Sequence, residues 1–281
     1  MSSHGMLKLH EREEAVRLDL DSWLRLVPRH APRSAIDDYF ECTDGLKSKI
    51  IASEPVDAEL LGLLTIGVIS AVEFYLRTIF SRVPGICPFA QRHMEMTAVA
   101  AGAAGYYADS GIPYLLSLFD HESLANGEKI KTTCKKCVGL NLTDDSSVQK
   151  VIEDFDKLCE LRHCLVHARG YVGLKASNAL ELDSRSPKKV LLDRAGVLEV
   201  LKIAHNVVRA INRYLAEGIA NRWVDKNYLT GNWQDDKSQF TTLFSSFARR
   251  GKDEYGGIAY KAYRPFQKAA RAKQSALLAS T

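Results

Sequence analysis

The sequence lacks the signatures of most common enzyme classes. It has no phosphate-cradling GxxxxGK[ST], no GxGxxG after a strand and no GxSxG, so ATPase, dinucleotide-enzyme and common serine-hydrolase chemistry find no support. Strand-like alternation of apolar and polar residues is scarce, which argues against a sheet-based fold. The longest apolar run, 60–72, is interrupted by Gly62, Thr65, Gly67 and Ser70 and closed by Glu73. It falls short of a clean bilayer span. The first 14 residues are polar and charged with no apolar signal core, so a cytoplasmic protein without a membrane partner is expected. Six scattered cysteines then default to reduced thiols.

What the sequence does have is helical periodicity. Four main helices are expected, at 11–27, 57–82, 147–166 and 194–216. The second is apolar nearly all round at its start, the pattern of a buried central helix. Pro84-Gly85 is expected to close it and Gly170 to stop the third. Further helices are expected at 34–53, broken near Asp44-Gly45, and at 88–107. Residues 126–141 read as a loop. Segments around Val172 and Val190-Leu191-Leu192 could form a small β-hairpin. The expected architecture is an all-α bundle with long crossovers. Its parts are an N-terminal helical segment (1–54) packed on the core, a helical domain (55–217) with a helical insert (84–142), and a basic helical C-terminal extension (218–281).

Net charge is only +4, but it is uneven. From Arg249 onward, eight basic residues (Arg249, Arg250, Lys252, Lys261, Arg264, Lys268, Arg271, Lys273) face two acidic ones, a local +6 that leaves −2 for the rest. Tyr255, Tyr260, Tyr263 and Phe266 interleave with them. Cations on phosphates and rings on bases suit a nucleic acid. A solvated basic helix whose rings dock on the domain has equal claim to the same pattern.

The chemistry concentrates in Leu161-Arg162-His163-Cys164-Leu165-Val166-His167, at the end of an acidic amphipathic helix. An arginine is always charged and matches phosphate oxygens in a fork. A histidine can give or take a proton near neutral pH. Arg162 and His167 are thus candidate catalytic residues for metal-independent RNA cleavage, with His163 and Glu73 in support. Arg169 joins the basic tail as a candidate nucleic-acid contact. On a continuous helix, residues five apart point about 140° apart. Arg162 and His167 therefore converge only if the helix ends or distorts near Val166, or if they meet across a dimer. The bland alternative pairs Arg162 with a carboxylate such as Glu73 and leaves His167 at the helix C-terminus.

The segment resembles the R-x4-6-H motif of the HEPN superfamily (higher eukaryotes and prokaryotes nucleotide-binding), in which a polar residue, here His163, usually follows the arginine. Ala168-Arg169-Gly170-Tyr171-Val172 resembles the stretch that commonly trails the motif. Glu73-Phe74-Tyr75-Leu76-Arg77 is similar to the E-x-x-x-R stretch of an early core helix in that family. The resemblance covers about 57–216. It implies a HEPN-like bundle and a homodimer whose facing Arg–His pairs form one composite site. It further implies an endoribonuclease that needs neither metal nor cofactor and leaves 2′,3′-cyclic phosphate ends. Its settings are toxin–antitoxin, antiviral or RNA-processing systems, with an inhibitor or activator protein as a further partner. The alternative within the same resemblance is a non-catalytic dimer that binds nucleic acid, nucleotide or protein.

Zinc is the competing site chemistry. His163 and His167 share a helix face, and Cys134-Lys135-Lys136-Cys137 is a CxxC, but no second CxxC exists and no Glu follows His163. Reduced loop thiols are the expectation there, and Cys164 is expected to be a small core residue.

Overall fold

The structure is a computed structural model of the chain, and it describes residues 18–24, 33–52, 57–107, 114–182, 186–249 and 255–279. The fold is all-α apart from one two-residue-wide hairpin among the described residues. Most of the 11–27 helix expectation lies outside them. The described part is the single turn α1 (Leu20–Trp23), which buries no residue; Leu20, Trp23 and Leu24 are exposed. In the N-terminal segment it is therefore α2 (Ala35–Ala52) that packs on the core. α2 runs unbroken through Asp44-Gly45, because Ile36, Tyr39, Phe40 and Ile50 bury along one side and hold the glycine in the helix.

α3 (Ala58–Ile86) is the central helix. The Asp57 carboxylate caps it by accepting the Glu59 N–H at 2.9 Å. By length and composition it could cross a membrane, but just over half of its apolar window is buried against α2 and helices introduced below. It continues past the expected stop at Pro84, which sits inside the last turn. Burial of Ile79, Phe80 and Val83 outweighs the one backbone bond that proline forfeits. The expected helix 88–107 is instead two pieces, α4 (Pro88–Met94) and α5 (Ala101–Tyr107). The small-residue run supplies little area to bury, and Ala103 alone is buried in α5. A 3-10 turn, Tyr114–Phe119, follows.

Residues 126–141 are not a loop but mostly α6 (Gly127–Val138). Asn126 caps its start by accepting the Lys129 N–H, and Gly139 ends it at φ 71°. Any Cβ at Gly139 would collide with the His93 ring. α7 (Ser146–His167) starts at Asp145, whose carboxylate accepts the Ser147 and Val148 N–H groups. Beyond it, β1 (Tyr171–Val172) pairs antiparallel with β2 (Lys188–Lys189), and α8 (Leu174–Ala179) lies between them.

α9 (Arg194–Asp225) starts at Asp193, which accepts the Gly196 N–H, and runs through Gly218, past the expected end at 216. Leu215, Ile219 and Trp223 extend its buried stripe. Arg222 reaches from α9 to the Val138 and Gly139 carbonyls, satisfying the open end of α6. α10 (Trp233–Phe247) and α11 (Tyr255–Ala279) complete the chain. α3 packs against α2, α4, α6, α7 and α9, and α9 against α7, α10 and α11. Tyr75 donates to the Asn212 carbonyl oxygen, and the Asn212 amide donates to the Phe247 carbonyl, linking α3, α9 and α10. One hydrophobic core therefore reaches from α2 to α11, so the C-terminal extension belongs to it.

Candidate functional site at the end of the seventh helix

α7 stays helical through His167 and then turns sharply. The Cys164 carbonyl accepts the N–H groups of both Ala168 and Gly170, at 3.0 and 2.9 Å. Arg169 and Gly170 both take positive φ, 50° and 87°. A side chain at Gly170 would be strained at that φ and would press on the Val190 carbonyl. Val190 N–H in turn donates to the Gly170 carbonyl, so the hairpin is tied to the helix end.

This fold-back closes a cavity of about 360 Å³ between the last turns of α7, the 123–125 loop and the start of α8. Arg162, Glu160 and Lys175 supply its charge, and His163 and Tyr171 also line it. Its size falls within the range of small-molecule sites, roughly 300–1,000 Å³. Arg162 is half-buried, yet makes no hydrogen bond or ion pair with any described residue. A guanidinium withdrawn from water without a carboxylate partner favours an incoming anion.

His163 and His167 are exposed, with ring centroids 4.8 Å apart. Arg162 and His163 line the cavity; His167 does not. Neither a break nor a distortion of α7 brings Arg162 and His167 together within one chain.

Glu73 does not ion-pair with Arg162. Its carboxylate accepts from Arg77 at 2.9 Å and from the Leu124 N–H at 2.8 Å. Arg77 also donates to the Glu122 carbonyl. Burial alone would raise the Glu73 carboxyl, but bonds from Leu124, Ser123 and Arg77 outweigh it and hold it below the usual carboxylate range. The E-x-x-x-R stretch thus clamps the loop that walls the cavity.

Cys164 and Cys159 border the cavity, and burial pushes both thiols up. Neither is a ready nucleophile. Cys134 and Cys137 are buried on the inner side of α6, not in a loop. Burial pushes the Cys137 thiol up to about 11 and Cys134 further. Among the described residues no three His, Cys, Asp or Glu side chains gather as metal ligands.

The predicted nucleic-acid contacts divide. Arg249 lies over the Phe40 ring at 4.1 Å and pairs with Asp44. Arg271 donates to the Gly231 carbonyl, and Lys273 to the Asp225 carbonyl and carboxylate. These three dock on the domain. Tyr263 is fully buried and donates to the buried Asp236 carboxylate at 2.5 Å. Lys261, Arg264 and Lys268 are exposed, with no ion pair to a described residue. Arg250 lies outside the described residues. Arg169 borders a different groove, with Leu63, Lys189 and Leu191.

Sequence reasoning missed Ser123, Glu160 and Lys175 as cavity residues. Ser123 carried no signal, because its place depends on the distant Glu73. No protein-family model, curated protein or solved structure matches the chain.

Proposed function

We propose that the protein is a metal-independent endoribonuclease of HEPN type, acting as a cytoplasmic homodimer. One observation carries the reading: Arg162, half-buried and without a counter-ion, opens beside His163 into a cavity at the end of α7. In this reading an imidazole takes the proton of an RNA 2′-hydroxyl, whose oxygen attacks the adjacent phosphorus. A second imidazole protonates the leaving 5′-oxygen, and Arg162 neutralises the phosphorane. One chain supplies a single Arg162–His167 pair, diverging along one helix; two copies supply two pairs.

A face suited to that pairing exists. Leu63 and Phe74 form one exposed stripe of α3, and Leu191 is exposed near its Leu63 end. Large exposed apolar side chains gathered beside a site favour an interface. Lys261, Arg264 and Lys268 would hold the RNA backbone by charge. Defence, toxin–antitoxin and RNA-processing systems are the settings the reading suggests, with a regulator protein as restraint.

The unbroken α7 also supports a second reading, a non-catalytic dimer that keeps Arg162 and His167 for binding nucleic acid, nucleotide or protein. Nucleophile chemistry separates the two. RNA should be cut to 2′,3′-cyclic phosphate ends in excess EDTA, and 2′-deoxy substitution at the cleaved nucleotide should block it. Cleavage that persists at a 2′-deoxy site contradicts the mechanism, and intact RNA favours the binding dimer.

A further inference from the structure

We infer that the cavity beside Arg162 is a nucleobase subsite for single-stranded RNA, with Tyr171 as the stacking surface and Lys175 as a phosphate contact. The inference rests on the RNA reading of this site and adds how the substrate is held there.

Tyr171 is 59% exposed, although it sits on a strand tied to the end of α7. Its cross-strand partner is Lys189, whose ammonium lies 5.4 Å from the ring centroid. That cation lies over the ring, and the hairpin ties the Tyr171 backbone to the end of α7. Tyr171 borders the same cavity as Arg162, whose guanidinium makes no hydrogen bond or ion pair with a described residue. A flat apolar surface beside an uncompensated fork of donors matches a nucleotide: the base stacks and the phosphate is gripped. Lys175 is exposed on the cavity rim, without an ion pair to a described residue, and can meet a neighbouring phosphate.

The test uses the full chain and a fluorescein-labelled, mixed-sequence 2′-O-methyl RNA decamer, which cannot cleave itself because its 2′-oxygens are capped. Tyr171→Ala should weaken binding about tenfold, while Tyr171→Trp stays within about threefold of wild type. Lys175→Ala should lower the log–log salt slope by about 0.7, one phosphate contact on a single strand. Because both side chains are exposed, circular dichroism and melting should be unchanged. A Tyr171→Ala protein that binds like wild type overturns the subsite, even if the wild type cleaves RNA in a His167-dependent way. Tyr171-dependent binding without cleavage sustains the subsite and removes the ribonuclease. Wild type that neither binds nor cleaves overturns both. Equal competition by free adenosine monophosphate at the concentration of the decamer's nucleotides would assign the cavity to mononucleotides instead.

Discussion

His167 packs its ring against His163, 4.8 Å away, and stands on a different face of α7 from Arg162. His163 is the residue between them: it lines the cavity with Arg162 and touches His167. The geometry therefore separates Arg162 and His163, which share the cavity, from His167, which lies outside it.

Glu73 should matter through the loop it holds. Glu73→Gln removes the charge that fixes Leu124 and Arg77, and the cost is about 1–3 kcal/mol. The folded carboxyl lies below its unfolded value, so its stabilisation is present above that value and is lost as pH falls through the folded one. The deficit of the variant, read by urea unfolding, should be full at pH 7 and shrink below about pH 4. RNA cleavage should fall along with loop order, while the purified variant keeps its helical content.

The basic residues of α11 should divide into two groups under substitution. Lys261, Arg264 and Lys268 changed together to alanine should leave the melting temperature within a degree or two. They should reduce the salt slope of RNA binding by up to about 2. Arg271→Ala and Tyr263→Phe should instead destabilise the chain by about 1–3 kcal/mol, because the first removes the charged donor that shares the Gly231 carbonyl with Gln267 and the second removes a bond to the buried Asp236 carboxylate. Denaturant midpoints and binding titrations at several salt concentrations read both effects.

Leu63→Asp or Phe74→Asp should block assembly without unfolding the chain, since both side chains are already exposed. Wild type should sediment at twice the 31.3 kDa chain mass and the variants at that mass. The monomeric variants should lose cleavage. A wild type that is monomeric yet active would refute the composite site.

Strongly periodic helices were legible in the sequence. α3, α7 and α9 sit where apolar spacing placed them, and Gly170 follows the end of α7 as read. α6 was hidden because five lysines and glutamates crowd its exposed side. Its inner stripe, Ile130, Thr133, Cys134, Cys137 and Val138, is small and sulfur-rich. Asn126 and Gly139 were its capping signals. Pro84 and Gly45 misled because local propensity is worth about a kilocalorie for glycine and about three for proline, which tertiary burial overrides.

The site was legible in part. Arg162 and His163 do share a cavity, whereas Glu73 is committed to Arg77 and Leu124. That distinction depends on where the 122–125 loop returns to α3, a contact that helical spacing cannot encode. The tail read as a phosphate-binding surface because its cations are counted alike in sequence, but half of those described are taken up by Asp44, Gly231 and Asp225.

The most direct measurement is cleavage of an end-labelled, mixed-sequence single-stranded RNA in excess EDTA by wild type, His167→Ala and Arg162→Ala. The account predicts cyclic-phosphate products from wild type, a loss of at least about a hundredfold in each variant, and unchanged melting for His167→Ala. Equal cleavage by all three proteins, or none by a dimeric wild type, would contradict it.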